Sequence, residues 1–293
     1  MSDSELDPME GQKRPGVMSQ LINIDEVPWW AVILIVIGLV LIYLILANPN
    51  YADTFAFISQ GVIVTLRMTL IAYFISIFLG LLTGLARTSK NKIVYTISTL
   101  YVESARGIPL IVLMLYVAFV LVPGVVSGLH SLGEWGIAQN LPTWLNNFFV
   151  SLSEFSIRSI EVELRAIIAL AIGYGAYEAE IFRAGIQSIG RGQMEAARSL
   201  GMTYFQAMRF IILPQAIRRV LPPLGNDFIS MLKDSSLATV LAVREITQLG
   251  RLRRASTFRV FETFNVVTFL YLSMTLVLSA GVRVLERKLR FEE

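Results

Sequence analysis

Apolar positions fall into six long runs separated by polar links. Trp29–Ala47 is unbroken apolar or aromatic, and about twenty such residues cross a bilayer as helix. Trp29 and Trp30 stand where interfacial anchors sit. The run reads as a span rather than a cleaved signal, because the preceding tail is long, acidic and has no basic start. Further runs cover about Gly61–Ala86, Gly107–Val122 (with helix before it from Ile93), Ala166–Ile186, Leu221–Val243 and Phe264–Val284. In the second, Ser76, Gly80 and Gly84 lie four apart and leave one face small enough for close helix contact, while Arg67 near its outer end is expected to snorkel. An all-α, polytopic membrane helix bundle with six spans is the class this pattern predicts.

Composition sharpens that picture. The 293 residues are 55% hydrophobic and 16% charged, with mean hydropathy +0.62. One His and no Cys argue against a multi-His or Cys metal site, a disulfide framework and cysteine catalysis. Charge placement sets orientation. Arg87, Lys90 and Lys92 follow the second run; Arg183, Arg191, Arg198, Arg209, Arg218 and Arg219 follow the fourth; Arg283, Arg287, Lys288 and Arg290 close the chain. The positive-inside rule then puts both termini in the cytoplasm of a multi-pass protein. Residues 244–259 conflict with this, because five arginines fall outside on the same count. Residues 1–28 read as a flexible tail. The loop 123–162 reads either as a Trp-rich interfacial lid or as a landing surface for an external partner, with His130 an ordinary surface residue.

One polar stretch interrupts the apolar chain: EAARSLGMTYFQAMRFIILP, Glu195–Pro214. Ala196, Ala197, Leu200 and Tyr204 fall near one helical face. Gly201 can take a left-handed conformation and end the first helix. Thr203 offers an N-cap and Gln206 follows three later, as in a capping box. Pro214 is expected to limit the second helix. Helix, glycine turn, helix is a rigid protrusion suited to docking, or an amphipathic hairpin lying on lipid.

The spacing resembles a known signature. Glu195-Ala196-Ala197, three residues, Gly201, nine residues, then Ile211-x-Leu213-Pro214 is similar to the EAA loop of ABC importer membrane subunits. YVESARGIPLIV (Tyr101–Val112), Gly175–Gly201 and Leu213–Ala238 resemble the polar amino-acid permeases of that family, the histidine, glutamine and arginine type. The resemblance covers about Gly61 to the C-terminus, the permease core 61–293, and leaves 29–47 as an extra helix. It implies a type I importer permease fold in a bacterial inner membrane. It also implies a second permease copy or a sister permease, cytoplasmic ATPases that carry ATP and Mg, an extracytoplasmic solute-binding protein and an amino-acid substrate. The loop at about 190–214 would seat Glu195, Ala196, Ala197, Leu200, Gly201, Leu213 and Pro214 against the ATPase. No phosphate-binding G-x-x-x-x-G-K-[ST] occurs in the chain, so no cofactor is expected here; lipid surrounds the spans, and no nucleic acid is expected.

Polar groups at membrane depth are candidates for a pathway or for internal pairing. Glu180 and Arg183, three apart, can pair on one helix. Glu178 has no partner in the local sequence; it either meets Arg106 across the bundle or faces a substrate ammonium. Tyr177, Asn226, Asp234 and Ser235 are further pathway candidates, while a Lys233–Asp234 pairing network would be structural. Arg106, Gly107 and Pro109 mark a helix start and anchor. A self-contained secondary transporter using the intramembrane carboxylates is the competing class. The docking spacing argues against it.

Overall fold

In the computed structural model, described for residues 29–139 and 142–289, every regular element is helical. The chain order is α1 Trp29–Ala47, α2 Pro49–Ile58, α3 Gln60–Ala86, α4 Lys92–Gly107, α5 Leu110–Tyr116, α6 Val122–Ile137, α7 Thr143–Ser153, α8 Val162–Gln187, α9 Arg191–Ser199, α10 Tyr204–Ala207, α11 Leu213–Asp234, α12 Ile246–Thr257 and α13 Val260–Leu289. The tail expected at 1–28 lies outside the described residues.

Helices α3 and α8 form the centre and run parallel. Arg67 meets Glu163 near their starts, and Gly80 and Gly84 press on Glu178 and Ala179 further along. The small face of α3 permits this approach. A Cβ on Gly80 would stand 2.7 Å from Glu178 Cβ, and one on Gly84 would stand 2.8 Å from the Ala179 carbonyl oxygen. Met68, Ala72, Ala169, Leu170 and Ala176 fill the core between these helices and α4, α5 and α11. Arg67 does not merely snorkel: its guanidinium grips Glu163 through contacts of 2.7–3.1 Å.

Helix α11 returns antiparallel to α8, with Val220 against Gly185 and Asp234 beside Tyr174. The end of the bundle carrying residues 188–213 is termed the inner end. The basic segment 244–259 sits at the other, outer end, where Ile246 touches Gly61 and Thr65 at the start of α3.

Four described stretches are long and apolar enough to cross a membrane: Trp29–Ala47, Pro49–Ala86, Leu110–Ile137 and Val260–Lys288. Helices α8 and α11 are less apolar for a physical reason. Much of α8 is buried by its neighbours, so polar groups on it find protein partners rather than lipid.

Three boundaries differ from expectation. The supposed outer loop 123–162 is mostly helix: α6 continues to Ile137, and α7 packs back on it where Gly133 and Gly136 admit Ser153 and Phe149. Pro214 does not stop a helix but sits in the first turn of α11, where a missing N–H costs least. Pro222 and Pro223 lie inside α11, so the fifth run starts well before Leu221. Two π turns, Val117–Leu121 and Met208–Ile212, directly precede the helices that open with Pro123 and Pro214. In each, the residue before the proline donates five residues back, Val122 to Val117 and Leu213 to Met208.

Candidate functional site

The inner end is built around the turn at Gly201. Helix α9 closes with Gly201 at φ +81, the Gly201 N–H on the Arg198 carbonyl at 3.0 Å and the Met202 N–H on the Ala197 carbonyl at 3.1 Å. That pairing is the Schellman motif, and the left-handed residue favours glycine. Two residues later the capping box forms as expected. Gln206 N–H donates to Thr203 Oγ1, and Thr203 N–H donates to Gln206 Oε1 at 2.8 Å.

The protrusion is fastened to its stem by Ile189, Ile212 and Ala216, with Met194 and Met208 packed against them. Arg219 Nη1 donates to the Ser188 carbonyl at 2.6 Å. Beyond this stem, Leu200 is 80% and Phe205 83% exposed. Glu195, Ala196, Leu213 and Pro214 are also exposed. A shallow cleft of about 260 Å³ opens between Leu200, Gly201, Met202, Gln206 and Phe210. Ala197 corrects the expected face: it is buried and turned toward the stem, so it cannot share a surface with Leu200.

Just above the loop, Glu180 gathers three guanidiniums. Arg183 Nη2 lies 2.6 Å from Oε2, Arg87 Nη1 donates to Oε1, and Arg106 Nη1 stands 3.6 Å from the same oxygen. Glu103 takes the other nitrogen of Arg87 at 3.2 Å. The expected Glu180–Arg183 pair is therefore present inside a larger cluster. The positive charge of Arg87 reads from the sequence as a topology signal, and nothing local shows that it turns inward to meet a carboxylate 93 residues later. Gly107 ends α4, and Pro109 stands before α5 at the break.

Glu178 does not meet Arg106. It is fully buried between α3 and α8, where Ser76 Oγ donates to Oε1 at 2.9 Å while Oε2 is without a partner. Arg106 instead lies over the Tyr177 ring, 5.5 Å from its centroid. The Lys233–Asp234 network also gives way. Among the described residues no ion pair joins the two; Lys233 is exposed and Asp234 accepts from Tyr174 Oη at 2.7 Å. Ser235 is buried and donates to the Leu232 carbonyl, its own helix backbone. Of the pathway candidates, Tyr177 and Asn226 have exposed side chains. Among the described residues no group of His, Asp and Glu is placed to hold a metal ion.

The outer end has its own buried carboxylate, which the sequence did not single out. Glu245 caps α12 by accepting from the Thr247 and Gln248 N–H groups at 2.7 Å, and from Tyr271 Oη at 2.8 Å. Elsewhere, α6, α7 and the 154–157 segment enclose an open cleft of about 440 Å³ lined by Ser127, His130, Glu154 and Ser156. His130 is half exposed with Glu134 Oε2 at 3.7 Å.

Known proteins resemble this chain in sequence and fold. Residues 76–291 match the family described as "Binding-protein-dependent transport system inner membrane component". The chain is 37% identical over 237 residues to a probable glutamine ABC transporter permease, GlnM, of Bacillus subtilis, covering 81% of this chain and 95% of that one. It is 33% identical over 231 residues to the glutamine transport system permease GlnP of Escherichia coli, covering 79% and 92%. A crystal structure of an amino acid ABC transporter with histidines aligns with TM-score 0.64 at 34% identity, over 83% of this chain and 97% of that one. The inward-facing MetNI methionine transporter, at 19% identity and TM-score 0.57, shares the fold. The chain therefore belongs to the binding-protein-dependent transport system inner membrane components, the permease subunits of ABC importers, whose ATPase resides on partner subunits.

Proposed function

We propose that this chain forms half of the translocation pathway of an ATP-driven importer of polar amino acids, paired with a second permease copy or a sister permease. Residues 191–213 are its dock for a cytoplasmic ATPase, which brings ATP and Mg. Both termini then lie in the cytoplasm. An extracytoplasmic binding protein delivers substrate to the outer end. Closure of two ATPases on ATP moves the two docks together and tips the bundle outward; hydrolysis resets it. This is a two-state gate biased by a ligand bound elsewhere.

The observation that carries the docking assignment is the Gly201 turn. A left-handed glycine and a capping box fix the loop rigidly, yet they leave Leu200 and Phe205 uncovered. Rigid exposed apolar groups on a chain without its own phosphate loop suit a protein groove. Gly201→Val tests it. No atom lies within 4 Å of an added Cβ, so the penalty is backbone strain confined to the turn. The membrane bundle is expected to stay folded while ATPase co-purification falls or hydrolysis uncouples from uptake. Normal assembly with wild-type transport returns the loop to a lipid-surface role.

Tyr177 and Asn226 are assigned to the pathway lining, because their side chains are open while those of Glu178 and Ser235 are enclosed. The chain has no Cys, so single cysteines at 177 and 226 report cleanly. Transported amino acid should slow their modification in the assembled importer. Equal rates with and without substrate would remove both from the pathway.

A further inference from the structure

We propose that Glu180 is a positioning residue for transport, which transmits movement of the docking loop to the helix break at Ile108–Pro109. The proposal rests on the reading of residues 191–213 as the ATPase dock.

Three elements converge on this one carboxylate: Arg87 from the end of α3, Arg106 from the last turn of α4 and Arg183 from α8. Without Glu180 the three guanidiniums would face one another with Glu103 alone beside them, and Glu103 is largely exposed. The cluster is connected in both directions. Toward the loop, Arg183 Nη1 donates to Gln187 at 2.9 Å, and the next residue, Ser188, accepts from Arg219 of α11. Toward the break, Arg106 precedes Gly107, where α4 ends and the backbone turns extended at Ile108.

The chemistry suits a joint that changes partners. Long charged side chains can exchange acceptors over several ångströms without breaking backbone hydrogen bonds. Arg87 is nearly enclosed, yet its Nε has no acceptor, and Glu103 already stands at its other side. A shift of α4 against the close-packed α3–α8 pair therefore has a second acceptor available for Arg87. Arg106, held by Glu180 at 3.6 Å and by the Tyr177 ring, follows whichever way the carboxylate moves.

The test uses the whole importer, with its ATPases and binding protein, in proteoliposomes, and measures ATP hydrolysis and amino-acid uptake together. Glu180→Gln keeps the shape and removes the charge. Assembly and stimulated hydrolysis should persist, while uptake per ATP falls at least about fivefold, the scale of a lost coupling. Glu180→Asp should recover part of it. Arg106→Gln, at the exposed edge of the cluster, should act in the same direction, and combining it with Glu180→Gln should add little. If Glu180→Gln fails to assemble, Arg106→Gln decides by the same ratio. Unchanged uptake per ATP in assembled variants, or additive losses, would overturn the proposal. A wild-type chain that holds no ATPase would overturn the docking reading, and this one with it.

Discussion

At the inner end of the bundle, Arg87, Arg106 and Arg183 reach Glu180 across three helices, and Leu200 and Phe205 stand free. At the outer end, α12 is pressed onto α3 with backbone against backbone: an added Cβ on Gly61 would lie 2.6 Å from Ile246 N and 2.8 Å from Glu245 C. Glu245 is enclosed there, its carboxylate shared between two α12 amides and Tyr271. At the inner end, α4 is joined to the close-packed α3–α8 pair by long side chains that can trade partners. The other end is joined by contacts with no slack. The difference teaches where movement is affordable. Movement of α4 against the close-packed α3–α8 pair re-pairs charges, whereas separating α12 from α3 would break the bond from Ile246 N–H to Thr65 Oγ1 and uncover the buried Glu245.

Substitutions can break that comparison. Gly61→Val should have the largest effect on stability, about 3 kcal/mol, because the obstructing atoms are backbone and cannot rotate away. Thermal unfolding in detergent would show it, and a wild-type midpoint would mean that the outer junction has room after all. Glu245→Ala should follow at about 2 kcal/mol, since it leaves two amides and the Tyr271 hydroxyl without their acceptor. A loss confined to transport with an unchanged midpoint would make Glu245 a functional group rather than a clamp. Gly201→Val completes the series at the inner end with the smallest cost to the fold, about 1–2 kcal/mol in the turn, against the larger effect on ATPase docking described above. Should it destabilise the protein more than Gly61→Val, the two ends would not differ as stated.

Much of this was legible in the sequence. The C-terminal end of Trp29–Ala47, the small face of α3, the left-handed Gly201 and the Thr203–Gln206 box all follow from local rules, and each stands where expected. The errors came where distance in sequence hides a neighbour. The 123–162 segment reads as a loop because apolar and polar residues alternate through it, whereas Gly133 and Gly136 admit α7 against α6. Asp234 reads from the sequence either as a pathway residue or as a partner of the adjacent Lys233, but Tyr174, 60 residues away, donates to it. Helical spacing puts Ala197 on the face of Leu200, but Ala197 is buried while Leu200 is exposed. Glu245, a lone acidic residue among the arginines of 244–259, carries no local sign that it will be enclosed.

The π turn before Pro214 has a mechanical consequence. By donating five residues back, Leu213 keeps the helix continuous where the proline would otherwise break it. Tyr204 to Asp234 is thereby a single beam of about 45 Å at 1.5 Å per residue, with one tip in the protrusion and the other beside Tyr174. Pro222 and Pro223 remove two consecutive donors near its middle. The beam therefore has its most donor-poor stretch near the centre. On the proposed docking of residues 191–213, a load applied at Phe205 would be taken up there as bending, as in a flexure.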